Sequence, residues 1–139
     1  MRQVPKILLL LSLFAVFSSC EKQTFNEDDV LYDLGIMGRW EISSRTVNGT
    51  TDPTVTCCEF LVLDGDSTTT DLTGQWWYDD GDSVQTQGTY IVDTVDRDIQ
   101  FYGANVSFSR NYQVVSFDVL FLRQSIGSTY IDEIWRRQY

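Results

Sequence analysis

From residue 37 onward, apolar side chains recur at every second position in short runs broken by Gly and Asp, and helical spacing is not sustained. Successive side chains of a strand point to opposite faces, so each run has one oily and one polar face. The pattern predicts strands near 38–47, 57–64, 67–73, 75–78, 85–92, 98–102, 106–112, 114–124 and 129–138. Asp64-Gly65-Asp66, Asp79-Asp80-Gly81-Asp82, residues 93–96, Gly103-Ala104-Asn105 and Ile126-Gly127-Ser128 separate them, offering Gly or Asx where φ must turn positive. Connections this short pair consecutive strands as an antiparallel meander, and a meander of about eight strands removes its exposed edges by closing on itself. Ahead of it, Asn26 or Asp28 can cap a short helix running through Leu34 to Gly35. The expected fold is all-β: an antiparallel up-and-down eight-stranded barrel after a short N-terminal helix.

The phase of the alternation assigns side chains to the lumen. In Asp98-Ile99-Gln100-Phe101 the polar phase is plain; in residues 117–123 one phase holds Phe117, Val119 and Phe121, the other Asp118, Leu120 and Leu122. Taking the first as inward gives an interior of Phe60, Val62, Tyr90, Val92, Ile99, Phe101, Phe108, Phe117, Val119 and Phe121. An eight-stranded barrel is filled by such side chains or holds one small ligand. Phe60, Tyr90, Phe101, Phe108, Phe117 and Phe121 are therefore the candidate ligand contacts. Charges recur on the outward phase, against the uncharged lipid-facing band of a transmembrane barrel. In Trp76-Trp77-Tyr78 the first and third residues share a face and Trp77 takes the other. At least one large aromatic thus reaches the surface or the mouth, where it packs across strands or meets a protein or glycan partner.

Composition narrows the chemistry. The chain of 139 residues has no His, which excludes Ser-His-Asp and Cys-His nucleophile systems and His-ligated metals. Lys6 and Lys22 both lie near the N-terminus, so the folded part lacks a lysine for a Schiff base or a phosphate loop. Ten basic against 20 acidic residues give a net charge of −10, which repels nucleic acid. Asp64, Asp66 and Asp71, or Asp79, Asp80 and Asp82, lack the spacing of a calcium loop and read as turn formers. Glu41, Glu59, Asp118 and Glu133 are not placed by the sequence as a catalytic pair across a cleft. The expectation is no enzyme, no metal and no cofactor. Cys57 and Cys58, adjacent in an expected strand, would point to opposite faces as two thiols. Asp66-Ser67-Thr68, Asp82-Ser83-Val84 and Asp93-Thr94-Val95 resemble the triplets that some Gram-negative bacteria O-glycosylate after export.

The N-terminus reads as an address. Arg2 and Lys6 precede an apolar run over residues 7–17, then Ser18 and Ser19, the three parts of a secretory signal. Eleven residues are too few for a spanning helix, which needs about 20. Phe17-Ser18-Ser19-Cys20 resembles the lipobox of bacterial lipoproteins, which implies cleavage before Cys20 and acyl chains on it. Removing Arg2 and Lys6 takes the net charge from −10 to −12. Glu21 after the cysteine resembles an outer-membrane sorting signal. The expected organisation is a signal over 1–19, a lipidated Cys20 with a tether over 20–29, and a barrel domain over 30–139.

Four short motifs in order add a family resemblance. Gly38-Arg39-Trp40-Glu41-Ile42 resembles the Gly-x-Trp signature of lipocalins and of lipocalin-like domains in bacterial lipoproteins. Phe60-Leu61-Val62-Leu63-Asp64-Gly65-Asp66, Gly88-Thr89-Tyr90 and Trp135-Arg136-Arg137 resemble their second strand, central Gly-Thr-Tyr and last strand. The likeness covers about residues 34–139. It implies a structural plug at one barrel end, Gly38 and Trp40 with Arg136 or Arg137 stacked over the indole. It also implies a non-catalytic, lipid-anchored protein of the bacterial outer membrane that holds a small hydrophobic or amphiphilic ligand. The alternative is a packed barrel acting as a structural or interaction module toward an envelope protein or glycan.

Overall fold

The computed structural model describes residues 23–55, 58–81 and 83–139; the signal, Cys20, Cys57 and Asp82 lie outside them. A one-turn helix α1 (Val30–Asp33) is followed by β1 (Gly38–Val47), β2 (Thr50–Thr51), β3 (Phe60–Gly65), β4 (Thr73–Asp79), β5 (Val84–Asp93), β6 (Asp98–Gly103), β7 (Ser107–Ser116), β8 (Val119–Ile126) and β9 (Thr129–Gln138). Neighbours in sequence pair antiparallel from β3 through β9, β1 pairs with β3, and β1 also pairs with β9, which closes the sheet. The result is an eight-stranded up-and-down barrel with β2 as a short extra strand on β1. Closure removes the open edges that a meander would otherwise expose. Among the described residues no helix is long and apolar enough to cross a membrane.

Acidic residues build many of the connections. Asp52, Asp66, Asp71, Asp79 and Asp93 each accept a hydrogen bond from the backbone N–H two residues on. These Asx turns explain the surplus of aspartate without invoking a cation. Among the described residues no group of three carboxylate or thiol side chains is placed to hold a metal.

One end of the barrel is closed. Asp29, not Asn26 or Asp28, caps α1 through the Leu31 N–H at 2.8 Å, and Gly35 turns the chain with φ 73°. Leu31, Ile36, Met37, Trp40, Leu63, Tyr90, Leu120 and Leu122 pack there without exposure. The stretch expected as a tether is docked from its third residue after Cys20: Gln23 donates to Asp64 Oδ2 at 3.4 Å, Phe25 packs on the core and Asp29 is buried.

Two expected strands are corrected. Residues 67–72 are turn and bend, and strand 114–124 is two strands separated by a turn at Phe117 and Asp118. That turn reverses the phase read from the sequence. Leu120 and Leu122 face the lumen; Phe121 and Val119 face outward, and Phe117 is 54% exposed. Phe60 and Val62 also take the outer phase of β3, whose inward residues are Leu61 and Leu63. Cys58 precedes β3, half-buried at φ 82°, so the opposite-faces argument for a cysteine pair in a strand does not apply to it.

Candidate functional site

The lumen divides along its length. Toward the closed end, the Trp40 indole N–H donates to the Ile36 carbonyl at 2.9 Å, and the Arg137 guanidinium lies 4.2 Å over its ring. Arg137 also donates to the carbonyls of Phe117 at 2.7 Å, Gly35 at 2.9 Å and Met37. Burial holds its pKa below the usual arginine value. Any Cβ on Gly38 would collide with the Arg137 guanidinium, so this approach needs glycine. The structure thus brings Gly38, Trp40 and Arg137 together, while Arg136 points outward and is exposed.

Toward the other end lies a cavity of about 240 Å³. It opens toward the end of the barrel where β1, β4, β6 and β8 finish. Trp76 meets Phe101 and Phe108 edge-on at 5.4 and 5.8 Å between ring centroids, and Phe101 stacks on Phe108 at 4.9 Å. Leu61, Val106 and Trp135 complete the apolar wall. Of the expected ligand contacts, Phe101 and Phe108 line this cavity. Tyr90 is buried at the closed side of Phe101, at 6.3 Å. Phe60, Phe117 and Phe121 stand outside the lumen.

The trio at 76–78 is split by the pleat. Trp76 is 2% exposed and Tyr78 lines the cavity, leaving Trp77 alone on the outer face. These three residues therefore form no surface strip.

The cavity wall also holds charge that the sequence reading left unassigned. Glu133, 3% exposed, accepts from Arg45 Nε at 2.8 Å, from the Trp135 indole at 3.1 Å and from Arg110 Nη1. Arg45 continues to Glu59 at 3.1 Å, and the Tyr78 hydroxyl donates to the same Glu59 oxygen at 2.8 Å. Burial draws the Arg45 pKa down, but Glu133 and Glu59 outweigh it and the value rises. Burial, then Glu59, pushes the Tyr78 hydroxyl up to about 12. Arg110 Nε is buried and has no acceptor among the described residues.

Local structure explains why these groups converge. In β1, Gly38, Trp40 and Ile42 face inward; a register shift between Ile42 and Ser44 then places Arg45 opposite Glu133. An extra residue at such a bulge reverses the inside–outside phase. Without it, Arg45 would point to solvent. Arg110 shares the phase of Phe108 and Glu133 that of Trp135, so a charge in an aromatic phase was the available signal for both.

With three donors on one carboxylate, Glu133 is compensated, as a buried charge must be. Arg45 has its acceptors in Glu133 and Glu59. Arg110 lines the cavity and donates to Glu133 through Nη1. No protein family, no curated protein and no solved structure matches this chain.

Proposed function

We propose that this is a non-catalytic, lipid-anchored barrel of the bacterial outer membrane, similar to lipocalin-like lipoproteins, whose half-open lumen binds one small amphiphile. The observation that carries the reading is an aromatic cavity of about 240 Å³ with the Arg45 and Arg110 side chains in its wall. Small-molecule pockets usually span about 300–1,000 Å³. The ligand is accordingly a molecule of one or two rings rather than a long acyl chain. Its apolar body lies against Trp76, Phe101 and Phe108, and a hydrogen-bond acceptor on it meets Arg110. Charged side chains in that wall favour a ligand that carries a hydrogen-bond acceptor over a wholly apolar one.

The test is to extract the full-length protein in mild detergent, denature it and search by mass spectrometry for a stoichiometric small molecule. The wild-type chain is expected to carry one, and Thr86→Trp, which fills the cavity from β5, is expected to lose it. Ligand at 100 times its Kd should stabilise the wild type by about 2.7 kcal/mol. An empty wild-type protein with no thermal shift across one- and two-ring carboxylates and phenols overturns the reading.

A further inference from the structure

The chain is fixed to the closed end of the barrel before α1 begins. Gln23 reaches Asp64 near the end of β3, Phe25 packs on the core, and the Val30 N–H bonds the Thr69 carbonyl at 3.0 Å. Between Cys20 and Gln23 stand only Glu21 and Lys22. A fully extended chain covers at most 3.3–3.6 Å per residue, so the anchor and the first docked residue are within about 10 Å. The ten residues of β1 or β9, at about 3.3 Å each and tilted about 40°, give the barrel a height of roughly 25 Å. An anchor that short cannot let the far end turn toward the surface from which it springs.

From this reach we infer that the closed end of the barrel faces the bilayer and the mouth of the lumen faces away from it. The inference rests on Cys20 carrying the acyl chains. Apolar side chains stand out at both ends: Val95, Val115, Phe117 and Tyr139 at the closed end, Val84 and Ile126 near the mouth. Exposure therefore does not choose between the ends; the anchor does. At the closed end Val95 is 88% and Tyr139 76% exposed, and both would meet the headgroup layer. Asp93 and Asp96 flank Val95, and Asp118 receives the Tyr139 hydroxyl. These carboxylates suit a neutral, zwitterionic headgroup surface and disfavour an anionic one. A ligand then enters the lumen from the aqueous side or from a partner across it, not from the lipid that holds the protein.

The test uses the full lipidated chain in zwitterionic nanodiscs containing a small fraction of lipid with a gadolinium chelate on its headgroup. Methyl resonances of Val95 and Val115 should broaden several-fold more than those of Val84 and Ile126. Equal broadening, or the reverse order, overturns the orientation. A 20-residue Gly/Ser insertion between Lys22 and Gln23 should erase most of the contrast; an unchanged contrast overturns the argument from reach. Failure of the anchor reads differently: Cys20→Ser should leave the discs altogether, and a variant that stays on them sinks the lipidation reading itself.

Discussion

The two halves of the lumen solve the same packing problem with different chemistry. At the closed end, Leu31, Ile36, Met37 and Trp40 fill the space, and a single cation, Arg137, is spent on backbone carbonyls. In the open half, aromatic rings leave a cavity, and the cations face carboxylates that neutralise them. The carbonyl-bound guanidinium of Arg137 lies away from the cavity. Arg45 and Arg110, paired with carboxylates, line it. Under the proposed function, stability and binding fall to different stretches of the same strands: β1 contributes Trp40 to one half and Arg45 to the other, and β9 contributes Arg137 and Glu133.

The largest test of this division is Trp40→Ala. Removing a fully buried indole should cost about 3–5 kcal/mol in urea unfolding while leaving ligand affinity of the folded fraction unchanged. A loss below about 1 kcal/mol would mean that the closed end does not carry the stability. Glu133→Gln should cost less, about 2 kcal/mol: the carboxamide oxygen replaces only one of the two carboxylate oxygens, so either Arg45 or the Arg110 and Trp135 pair loses its acceptor. Its distinctive effect should be on binding, with a changed affinity for ligand acceptors in calorimetry; unchanged affinity would separate the ion group from the cavity. The smallest effect concerns Tyr78. An unfolded tyrosine ionises near 10 and the folded hydroxyl near 12, so the folded state holds its proton longer. Stability from this group is complete below pH 10 and is lost as pH rises through 10 to 12. Tyr78→Phe should flatten that alkaline decline between pH 9 and 11, and an identical slope in both proteins would remove Tyr78 from the buried group.

The barrel was legible because period-two alternation and Gly or Asp turns mark strands directly; β1 and β9 fall on the residues expected. The turn at Phe117 and Asp118 was not, since Asp118 stands alone, with no glycine or second aspartate beside it, between apolar residues that prolong the pattern. That single miss placed Phe117 and Phe121 in the lumen. The Gly38, Trp40 and Arg137 arrangement followed from motif resemblance, with Arg136 excluded only once alternate residues of β9 were assigned to faces. Arg45 was hidden for a different reason: a bulge leaves no residue signature, and its neighbours Ser44 and Thr46 are polar on either phase. Arg110 and Glu133 alternate in step with Phe108 and Trp135 and could have been found by asking why a charge shares an oily phase.

The bulge also sets how the two ion-pairing strands answer to a lost residue. Deleting Ser43 removes the surplus position of β1 and restores strict alternation, with Ile42 and Arg45 still on the same side. The same edit within the regular ladder of β9, between Glu133 and Trp135, would put these two on opposite sides of the wall. Strand β1 therefore carries a spare residue that lets its length drift by one without rewriting the interior, and β9 has no such slack.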